Sequence, residues 1–500
     1  MDQTEGESII LSDRVLVNGA VTPVTLTASG KLRWSGGVGI QSCLAVEKEV
    51  LGFCTEGSRI KIRTVVESGD GICCFGSRGT PVRKTFAFET MSDELLGLWC
   101  QKLREYIDSL GRPKKLFVFV NPYGGKKSAS KVFLDDVKPL LEDANVEFTV
   151  QETKYQLHAK EIALTLDLSK YDGIICVSGD GILVEVGCLC LTILHHSQLN
   201  SMHIIRWTTL SKVEMVPVKG TGNGMAKSLL DSVGHPCTAF NAILAIIRGH
   251  KCSLDVATIL QGQTTFFSVL MLAWGLVADI DIESEKYRWM GSARIDFYAV
   301  QRIFHLREYN GSISFVPAPG FEAHGEPSEQ KGEFMGKDIC NPSHDESSKI
   351  QKCGYQGPRD DSENLNWRKI NGPFVSVWLH NVPWGAENTK AAPDAKFSDG
   401  YLDLIIIRSC PKCALLSLMT ELNNGNHVKS PHVLYLKVKA FVLEPGPRVD
   451  DATKEGIIDS DGEVLARGKG TYNSDQKALM DYKKLQITVD QGLATLFTPV

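Results

Sequence analysis

The sequence predicts an α/β domain with a parallel sheet, preceded by a small β-rich domain and followed by a larger one. Short β-prone stretches occur up to residue 89, apolar strands alternate with helical stretches from Lys115 to Val177, and apolar and polar residues alternate from Leu434 to Val442. The 500 residues are 43% hydrophobic, which is enough for two or three sizeable cores. We therefore expect domains at residues 1–112, 113–254 and 255–500.

Charge and composition exclude several classes of protein. The formal net charge is −5 and no basic cluster could follow a phosphate backbone, so nucleic-acid binding is not expected. The acidic start Met1–Ser8 lacks the features of a secretory signal. The most apolar run, Phe266–Ala278, is shorter than the roughly 18 residues of a membrane span and predicts a buried strand. We therefore expect a cytoplasmic protein whose 14 cysteines are mostly reduced.

The N-terminal domain is predicted to be antiparallel and closed by one helix. Its β-prone stretches include Arg14–Val17, Ser58–Val66 and Thr85–Phe88. Ser92 can cap an amphipathic helix that ends at Gly111. This arrangement is similar to that of a pleckstrin-homology domain. A β-rich domain without a lipid-binding role is the alternative, because no clear basic loop for an inositide headgroup is present.

The next segment alternates strands with helices. Strands are predicted at Leu116–Val120, Val146–Gln151 and Gly173–Val177, and helical stretches at Ala129–Leu141 and His158–Leu166. Such alternation indicates right-handed β-α-β units and a largely parallel sheet. Ligands of these sheets lie beyond the carboxyl ends of the strands. The loops after Val120 and Val177 are therefore the places to look for chemistry.

The C-terminal half is predicted to be β-rich. Residues Leu434–Val442 alternate as a half-buried antiparallel strand does. Between the two halves, Glu322–Asn366 is polar, with few aliphatic residues, and predicts a flexible insertion.

Three glycine-rich turns follow apolar stretches and precede helical ones. They are Asn121-Pro122-Tyr123-Gly124-Gly125-Lys126, Ser178-Gly179-Asp180-Gly181 and Gly220-Thr221-Gly222-Asn223-Gly224. Glycine lets the backbone approach a phosphate closely, and amides at a helix start donate to it. Each turn alone would also suit a plain strand-to-helix connection. Together they favour nucleotide phosphates, and Asp180 could accept a hydroxyl proton or help hold Mg²⁺.

These motifs, in this order, resemble those of a known family. The three turns have the patterns N-P-x-G-G-K, S-G-D-G-x-x-x-E and G-T-G-N. They are followed by Trp274-Gly275 and then by the run from Asp279 to Arg288. With the alanine that precedes it, this run has the pattern A-D-x-D-x-E-S-E-K-Y-R. The chain from about residue 114 onward resembles the diacylglycerol-kinase catalytic fold. More narrowly, it is similar to the sphingosine (long-chain base) kinases of plants.

The resemblance implies an α/β nucleotide-binding domain, an antiparallel β-sandwich lipid-binding domain, and ATP with Mg²⁺ as cofactors. The nucleotide-site residues that it implies are Asn121, Gly124, Gly125, Thr153, Ser178, Gly179, Gly181, Glu185, Gly220, Thr221, Gly222, Asn223, Arg288, Arg294, Asp461, Gly462 and Glu463. It makes Asp180 the general base for the substrate hydroxyl and Glu185 a support of the loop after the second strand, which carries Thr153. It places Asp281, with Asp279 and Glu285, at a sphingoid headgroup, where a carboxylate can pair with the ammonium. Metal ligands are not assigned.

The implied activity is phosphorylation of the primary hydroxyl of a sphingoid base, with a ceramide or diacylglycerol kinase as the alternative. The lipid substrate also implies peripheral contact with an intracellular membrane.

One region departs from the family pattern. After Glu185, the sequence Gly187-Cys188-Leu189-Cys190-Leu191 and the pair His195-His196 replace an expected helix, and one extra residue precedes the third glycine turn. We expect a disrupted segment here rather than a metal site. The departure motivates a second hypothesis, a weakly active or inactive lipid-binding homologue.

Overall fold

The computed structural model describes residues 7–36, 40–67, 81–123, 128–155, 157–186, 213–217, 223–291, 293–328, 366–472 and 477–499. These residues form three hydrogen-bonded sheets, one in each expected part of the chain.

The N-terminal domain is a seven-stranded antiparallel sheet with the order β4-β3-β2-β1-β7-β6-β5. Its elements are β1 (Ile9–Val17), β2 (Ala20–Thr27), β3 (Lys31–Gly36), β4 (Ile40–Ala45), α1 (Val46–Glu49), β5 (Val50–Glu56), β6 (Arg59–Glu67), β7 (Pro81–Glu89) and α2 (Asp93–Ser109).

Helix α2 closes this sheet, as the sequence predicts. Ser92 Oγ accepts the Leu95 N–H at 3.3 Å and so caps the helix. Trp99, Leu103 and Ile107, spaced four residues apart, are buried against the sheet. The Trp99 ring meets that of Phe88 edge-on at 5.2 Å.

The α/β domain contains a parallel sheet with the order β11-β10-β8-β9. Its strands are β8 (Lys115–Val120), β9 (Glu147–Glu152), β10 (Gly173–Ser178) and β11 (Val213–Pro217). Its helices are α3 (Ala129–Val132), which continues through a π-helical turn (Phe133–Val137) into α4 (Lys138–Asp143), then α5 (His158–Thr165), α6 (residues 180–186), α7 (Gly224–Asp231) and α8 (Ala239–Arg248).

The predicted alternation of strand and helix is confirmed in this domain. Strand β10 is buried at all six residues, because helices cover both faces of the sheet. Since β8, β9 and β10 are parallel, their carboxyl ends lie at one edge, and the loops after Val120 and Ser178 meet there.

The C-terminal domain is a thirteen-stranded, mainly antiparallel sheet. Its strands are β12 (Lys251–Gln261), β13 (Thr264–Ser268), β14 (Met271–Gly275), β15 (Tyr309–Pro317), β16 (Glu326–Pro327), β17 (Arg368–Asn371), β18 (Ser376–His380), β19 (Leu402–Ile407), β20 (Leu434–Arg448), β21 (Ile457–Ser460), β22 (Glu463–Arg467), β23 (Met480–Asp481) and β24 (Leu485–Phe497). Its helices are α9 (Leu276–Glu283), α10 (Ala293–Phe304) and α11 (Lys412–Glu421), and a 3₁₀ segment (Ser284–Met290) joins α9 to α10.

Two sequence predictions about this domain need correction. Phe266–Ala278 is not one buried strand: it covers the end of β13, a turn, all of β14 and the start of α9. The expected domain boundary at residues 254 and 255 falls inside β12, which belongs to the C-terminal sheet. Most of the predicted insertion lies outside the described residues, and the part that is described includes strand β16.

None of the described helices has the length and apolar character needed to cross a bilayer.

Candidate active site

Three neighbouring strand ends of the parallel sheet form the floor of the candidate site. Asn121, directly after β8, donates from Nδ2 to Ser178 Oγ at the end of β10 (3.3 Å). Thr153, directly after β9, donates its N–H to the Val120 carbonyl (2.9 Å). The structure thus brings together three of the predicted nucleotide-site residues.

The predicted glycine turns are only partly described. Asn121 Oδ1 accepts the Tyr123 N–H (3.1 Å), which starts the first turn. Gly124 and Gly125 lie outside the described residues, as do Gly220, Thr221 and Gly222. Asn223 is buried at the start of α7.

Asp180 begins helix α6 directly after Gly179, which follows β10, and it is only 7% exposed. Its Oδ2 accepts the Gly224 N–H at 2.7 Å, whereas its Oδ1 has no hydrogen-bond partner among the described residues. Burial raises the pKa of Asp180 to about 7, although the N–H groups of Gly224 and Met225 oppose this shift. A fixed carboxyl with an unpaired oxygen and a pKa near neutrality is suited to accept a proton.

Glu185 lies on α6 and contacts the start of α5. Its Oε1 accepts the Leu157 N–H at 3.4 Å. Leu157 precedes α5 in a left-handed conformation (φ 68°), and no side chain of its own caps that helix. Glu185 therefore provides an acceptor where the helix leaves N–H groups unpaired, at the end of the loop that begins with Thr153.

Gly181 faces the C-terminal domain across the site. A Cβ at Gly181 would lie 3.8 Å from Glu463 Oε1, so Glu463 lies beside helix α6. Burial raises the pKa of Glu463 to about 7, and the nearby Glu185 and Asp281 carboxylates add to the shift. Carboxylates from both domains thus lie close together here: Glu185 comes from the α/β domain, and Glu463 and Asp281 come from the C-terminal domain.

The carboxylate of Asp461, in contrast, binds other groups of the protein. It occupies the turn between β21 and β22 with φ 55°, followed by Gly462 with φ 84°. Its carboxylate accepts the N–H groups of residues 269, 270 and 271 at 3.0, 3.0 and 2.7 Å, and the Ser268 hydroxyl at 2.9 Å. This carboxylate organises the β13–β14 turn, and both of its oxygens accept hydrogen bonds from the protein itself.

Asp279 and Asp281 lie on different sides of α9, because residues two apart on a helix are separated by about 200°. Asp279 is fully buried and binds Arg302 (3.0 Å), Arg307 (3.4 Å) and the Tyr309 hydroxyl (2.6 Å). The structure therefore places Asp279 in an internal ion-pair network rather than with the other predicted substrate residues.

Asp281 is half-buried and faces the cleft near Glu463. The predicted residue Glu285 is next to it and pairs with both arginines expected at the phosphates, Arg288 at 3.0 Å and Arg294. The Arg288 side chain is 79% exposed, whereas that of Arg294 is 10% exposed. Glu285 thus anchors the arginines in the structure, and Asp281 is the carboxylate of this group that faces the cleft.

Sequence reasoning missed Asp459, which lies on β21 with no exposed surface. Its carboxyl lies at hydrogen-bonding range of the Asp281 carboxyl. The available signal was an acidic residue directly after two isoleucines, two positions before the predicted turn at Asp461.

Within the described ranges, no three His, Cys, Asp or Glu side chains are grouped so that they could hold a metal ion.

Comparison with known proteins assigns both large domains. Residues 115–259 match the diacylglycerol kinase catalytic domain, and residues 367–479 match the YegS C-terminal NAD kinase beta sandwich-like domain. The predicted α/β catalytic domain and C-terminal β-sandwich are thereby confirmed.

Curated relatives match over most of the chain. Sphingosine kinase 1 of Arabidopsis thaliana is 61% identical over 493 residues, covering 98% of this chain and 96% of the relative. Sphingosine kinase 2 of the same plant is 58% identical over 502 residues, covering 100% and 99%. Human ceramide kinase is 28% identical over 388 residues, covering 76% and 69%.

Proposed function

The chain belongs to the sphingosine kinase family, and we propose that it transfers the γ-phosphate of ATP to the primary hydroxyl of a sphingoid long-chain base such as sphingosine or phytosphingosine. The product would be the sphingoid base 1-phosphate. The observation that carries the proposal is the buried Asp180 carboxyl at the carboxyl edge of the parallel sheet, in which one oxygen is hydrogen-bonded and the other has no partner among the described residues.

In the proposed reaction, Asp180 Oδ1 accepts the proton of the substrate hydroxyl. The hydroxyl oxygen forms a bond to the γ-phosphorus as the bond to the β-phosphate oxygen breaks, and ADP leaves. The Gly224 N–H fixes Oδ2, so that the carboxyl is oriented before the substrate arrives. Little covalent chemistry remains for the protein beyond positioning and charge stabilisation.

We propose that ATP lies on the strand-end floor formed by Asn121, Thr153 and Ser178, with its phosphates toward the glycine turns. Arg288 and Arg294 would then contact the phosphates and neutralise charge on the transferring group. Their shared partner Glu285 holds them beside the cleft, and the exposed Arg288 side chain is free to turn toward a ligand.

The substrate headgroup is proposed to lie at Asp281. A carboxylate there can accept from a hydroxyl and pair with the ammonium of a long-chain base. Ceramide and diacylglycerol have no ammonium, so an anionic residue at this position favours a free base.

The family also implies Mg²⁺. Carboxylate oxygens are suitable ligands, and the unpaired Oδ1 of Asp180 could hold the ion. When bound, the ion would neutralise phosphate charge. Oδ1 fits either a proton or the ion, and substitution of Asp180 separates the two roles, as described at the end of the Discussion.

Transfer of radiolabel from ATP to a panel of lipids tests the proposal. We expect labelling of sphingosine and phytosphingosine and little labelling of ceramide or diacylglycerol. Preferential labelling of an uncharged lipid would refute the substrate assignment.

A second candidate, a weakly active or inactive homologue, is favoured by the sequence departure at residues 187–219. Residues 187–212 lie outside the described part of the chain. The test is turnover beside that of a version carrying the family-like helix and a P-A-G-T-G-N turn. Equal turnover would exclude this candidate.

Peripheral membrane contact is also proposed, with the protein otherwise cytosolic. Trp289 is 82% exposed, and Phe297 and Phe304, seven residues apart on α10, are 47% and 58% exposed. This apolar surface adjoins Arg288 and Arg294, so a bilayer there would present its lipid to the cleft. Trp289→Ser with Phe297→Ser should reduce vesicle flotation, whereas Leu164→Ser, at an exposed position of α5, should not. Flotation that survives carbonate washing would contradict peripheral binding.

The N-terminal domain is proposed to be pleckstrin-homology-like. Its sheet, closed by α2 with Trp99 inward, supports this architecture.

A further inference from the structure

Asp459 is a buried carboxyl in an unexpected place. It lies on β21 between β14 and β22, paired with Ala273 on one side and Val464 on the other. It has no exposed surface, and neither carboxylate oxygen accepts a hydrogen bond from an N–H or O–H group of the described residues. An ionised carboxylate in this position would carry a desolvation cost of several kcal/mol without compensation.

The side chain next to Asp459 is the carboxyl of Asp281. The Asp459 side chain points at Asp281 on α9, at hydrogen-bonding range. Two carboxylates at this range repel each other unless one proton lies between them. Asp281 is half-buried and faces the cleft, whereas Asp459 is enclosed, so the proton belongs on Asp459.

The surroundings of the pair reinforce this assignment. The charged groups that face it are Asp461, Glu463, Glu285 and Arg294. Three of these are acidic, and Arg294 acts on Asp281. Burial and the adjacent carboxylates therefore raise the pKa of Asp459 well above its usual range.

We propose that Asp459 is a positioning residue of the headgroup site: a neutral carboxyl that donates one hydrogen bond to the Asp281 carboxylate and holds it toward the substrate ammonium. The inference rests on the proposed function and extends it. The pair then carries a single negative charge, which matches one ammonium group. The donated hydrogen bond also fixes the rotation of the Asp281 side chain.

Substitutions of Asp459 test the donor role. Asp459→Asn keeps an N–H donor of the same size, so KM for the sphingoid base should stay within about threefold of wild type. Asp459→Ala removes the donor, and loss of a hydrogen bond to a charged group predicts a KM for the base roughly 10-fold higher or more. KM for ATP should be unchanged in both. Ser460→Ala, at the next residue of the same strand, controls for general damage and should alter neither constant.

The stability of the folded protein gives a second readout that does not need activity. The pKa of Asp459 is higher in the folded than in the unfolded protein, so rising pH from about 4 upward costs the wild type stability. Asp459→Asn has no such proton to lose. The free energy of unfolding of Asp459→Asn, relative to that of the wild type, should therefore increase as pH rises toward neutrality.

Two kinetic results would overturn the inference. One is a KM for the sphingoid base that rises as much in Asp459→Asn as in Asp459→Ala, and the other is an unchanged KM in Asp459→Ala. A pH-independent stability difference between wild type and Asp459→Asn would also do so. A wild-type protein that phosphorylates no sphingoid base would instead refute the proposed function, and the unfolding comparison would still decide whether Asp459 holds a proton.

Discussion

At the scale of single residues, position on a helix decides which carboxylate is available to a ligand. Asp279 and Asp281 are two residues apart on α9, yet Asp279 is enclosed by two arginines and a tyrosine while Asp281 faces the cleft. The sequence motif contains both acids and does not distinguish them, because the distinction depends on which face of α9 packs inward.

The same substitution at these two positions should affect different properties: substrate binding at Asp281 and stability at Asp279. Asp281→Asn removes the charge that pairs with the ammonium, so we expect a KM for the sphingoid base at least about 10-fold higher with unchanged stability. Asp279→Asn leaves the buried Arg302 without its carboxylate partner, while Arg307 keeps Glu283, so the protein should lose roughly 3–5 kcal/mol of unfolding free energy. Folded Asp279→Asn protein should retain the wild-type KM. Steady-state kinetics and denaturant unfolding of both variants check this, and a KM effect confined to Asp279→Asn would reverse the assignment.

Gly181 offers a test of how closely the nucleotide approaches. Its φ is not in the left-handed region, and among the described residues an added Cβ would meet only Glu463 Oε1 at 3.8 Å, an ordinary contact. Gly181→Ala should therefore fold with an unchanged melting temperature and bind ATP more weakly if phosphates pass over this position. Unaltered ATP affinity by calorimetry would place the phosphates elsewhere.

At the scale of elements, local patterns predicted the structure wherever packing follows periodicity. The capped helix α2, the buried strands β8 and β10 and the parallel sheet are confirmed because each is specified by its own residues. The run Phe266–Ala278 was predicted wrongly, since its break after Ser268 is imposed by Asp461, almost 200 residues later in the chain. Asp459 was missed for the same reason: its partner lies on a distant helix.

The β13–β14 turn should therefore depend on one distant side chain. Asp461→Ala removes the acceptor of three backbone N–H groups and one hydroxyl, all in a buried setting. Leaving buried donors unsatisfied costs about 1–3 kcal/mol each, so a total loss of roughly 3 kcal/mol or more is expected after partial relaxation. Chemical denaturation measures it. Gly462→Ala provides the comparison for strain at the same turn, and wild-type stability in Asp461→Ala would show that the turn forms without this carboxylate.

At the scale of the whole molecule, the N-terminal domain is part of the folded unit. Leu51 and Val65 pack in the same core as Leu140 of the α/β domain. Arg63 on β6 donates to the carbonyl of Glu142 on α4 (2.9 Å), and Asn145 donates from Nδ2 to the carbonyl of Phe53 on β5 (3.0 Å). These contacts were not predictable from the sequence. The apolar residues on each side are explained equally well by packing within their own domain.

This docking predicts coupled unfolding of the first two domains. Leu51→Ala leaves a cavity in the shared core and should cost about 2–5 kcal/mol. Val82→Ala, at a 40% exposed position of the same domain, should cost much less. Calorimetry of Leu51→Ala should show the α/β domain melting earlier together with the N-terminal domain. An unshifted transition of the α/β domain would mean that the two unfold independently.

The most direct test of the whole account is the behaviour of Asp180→Asn. If Asp180 accepts the substrate proton, turnover should fall about 10²–10⁴-fold while ATP affinity, measured by calorimetry, is retained. If Asp180 chiefly holds magnesium, Mg-ATP binding should weaken and added magnesium should restore part of the rate. The account predicts lost turnover with retained ATP binding, and an Asp180→Asn protein with wild-type turnover would contradict it.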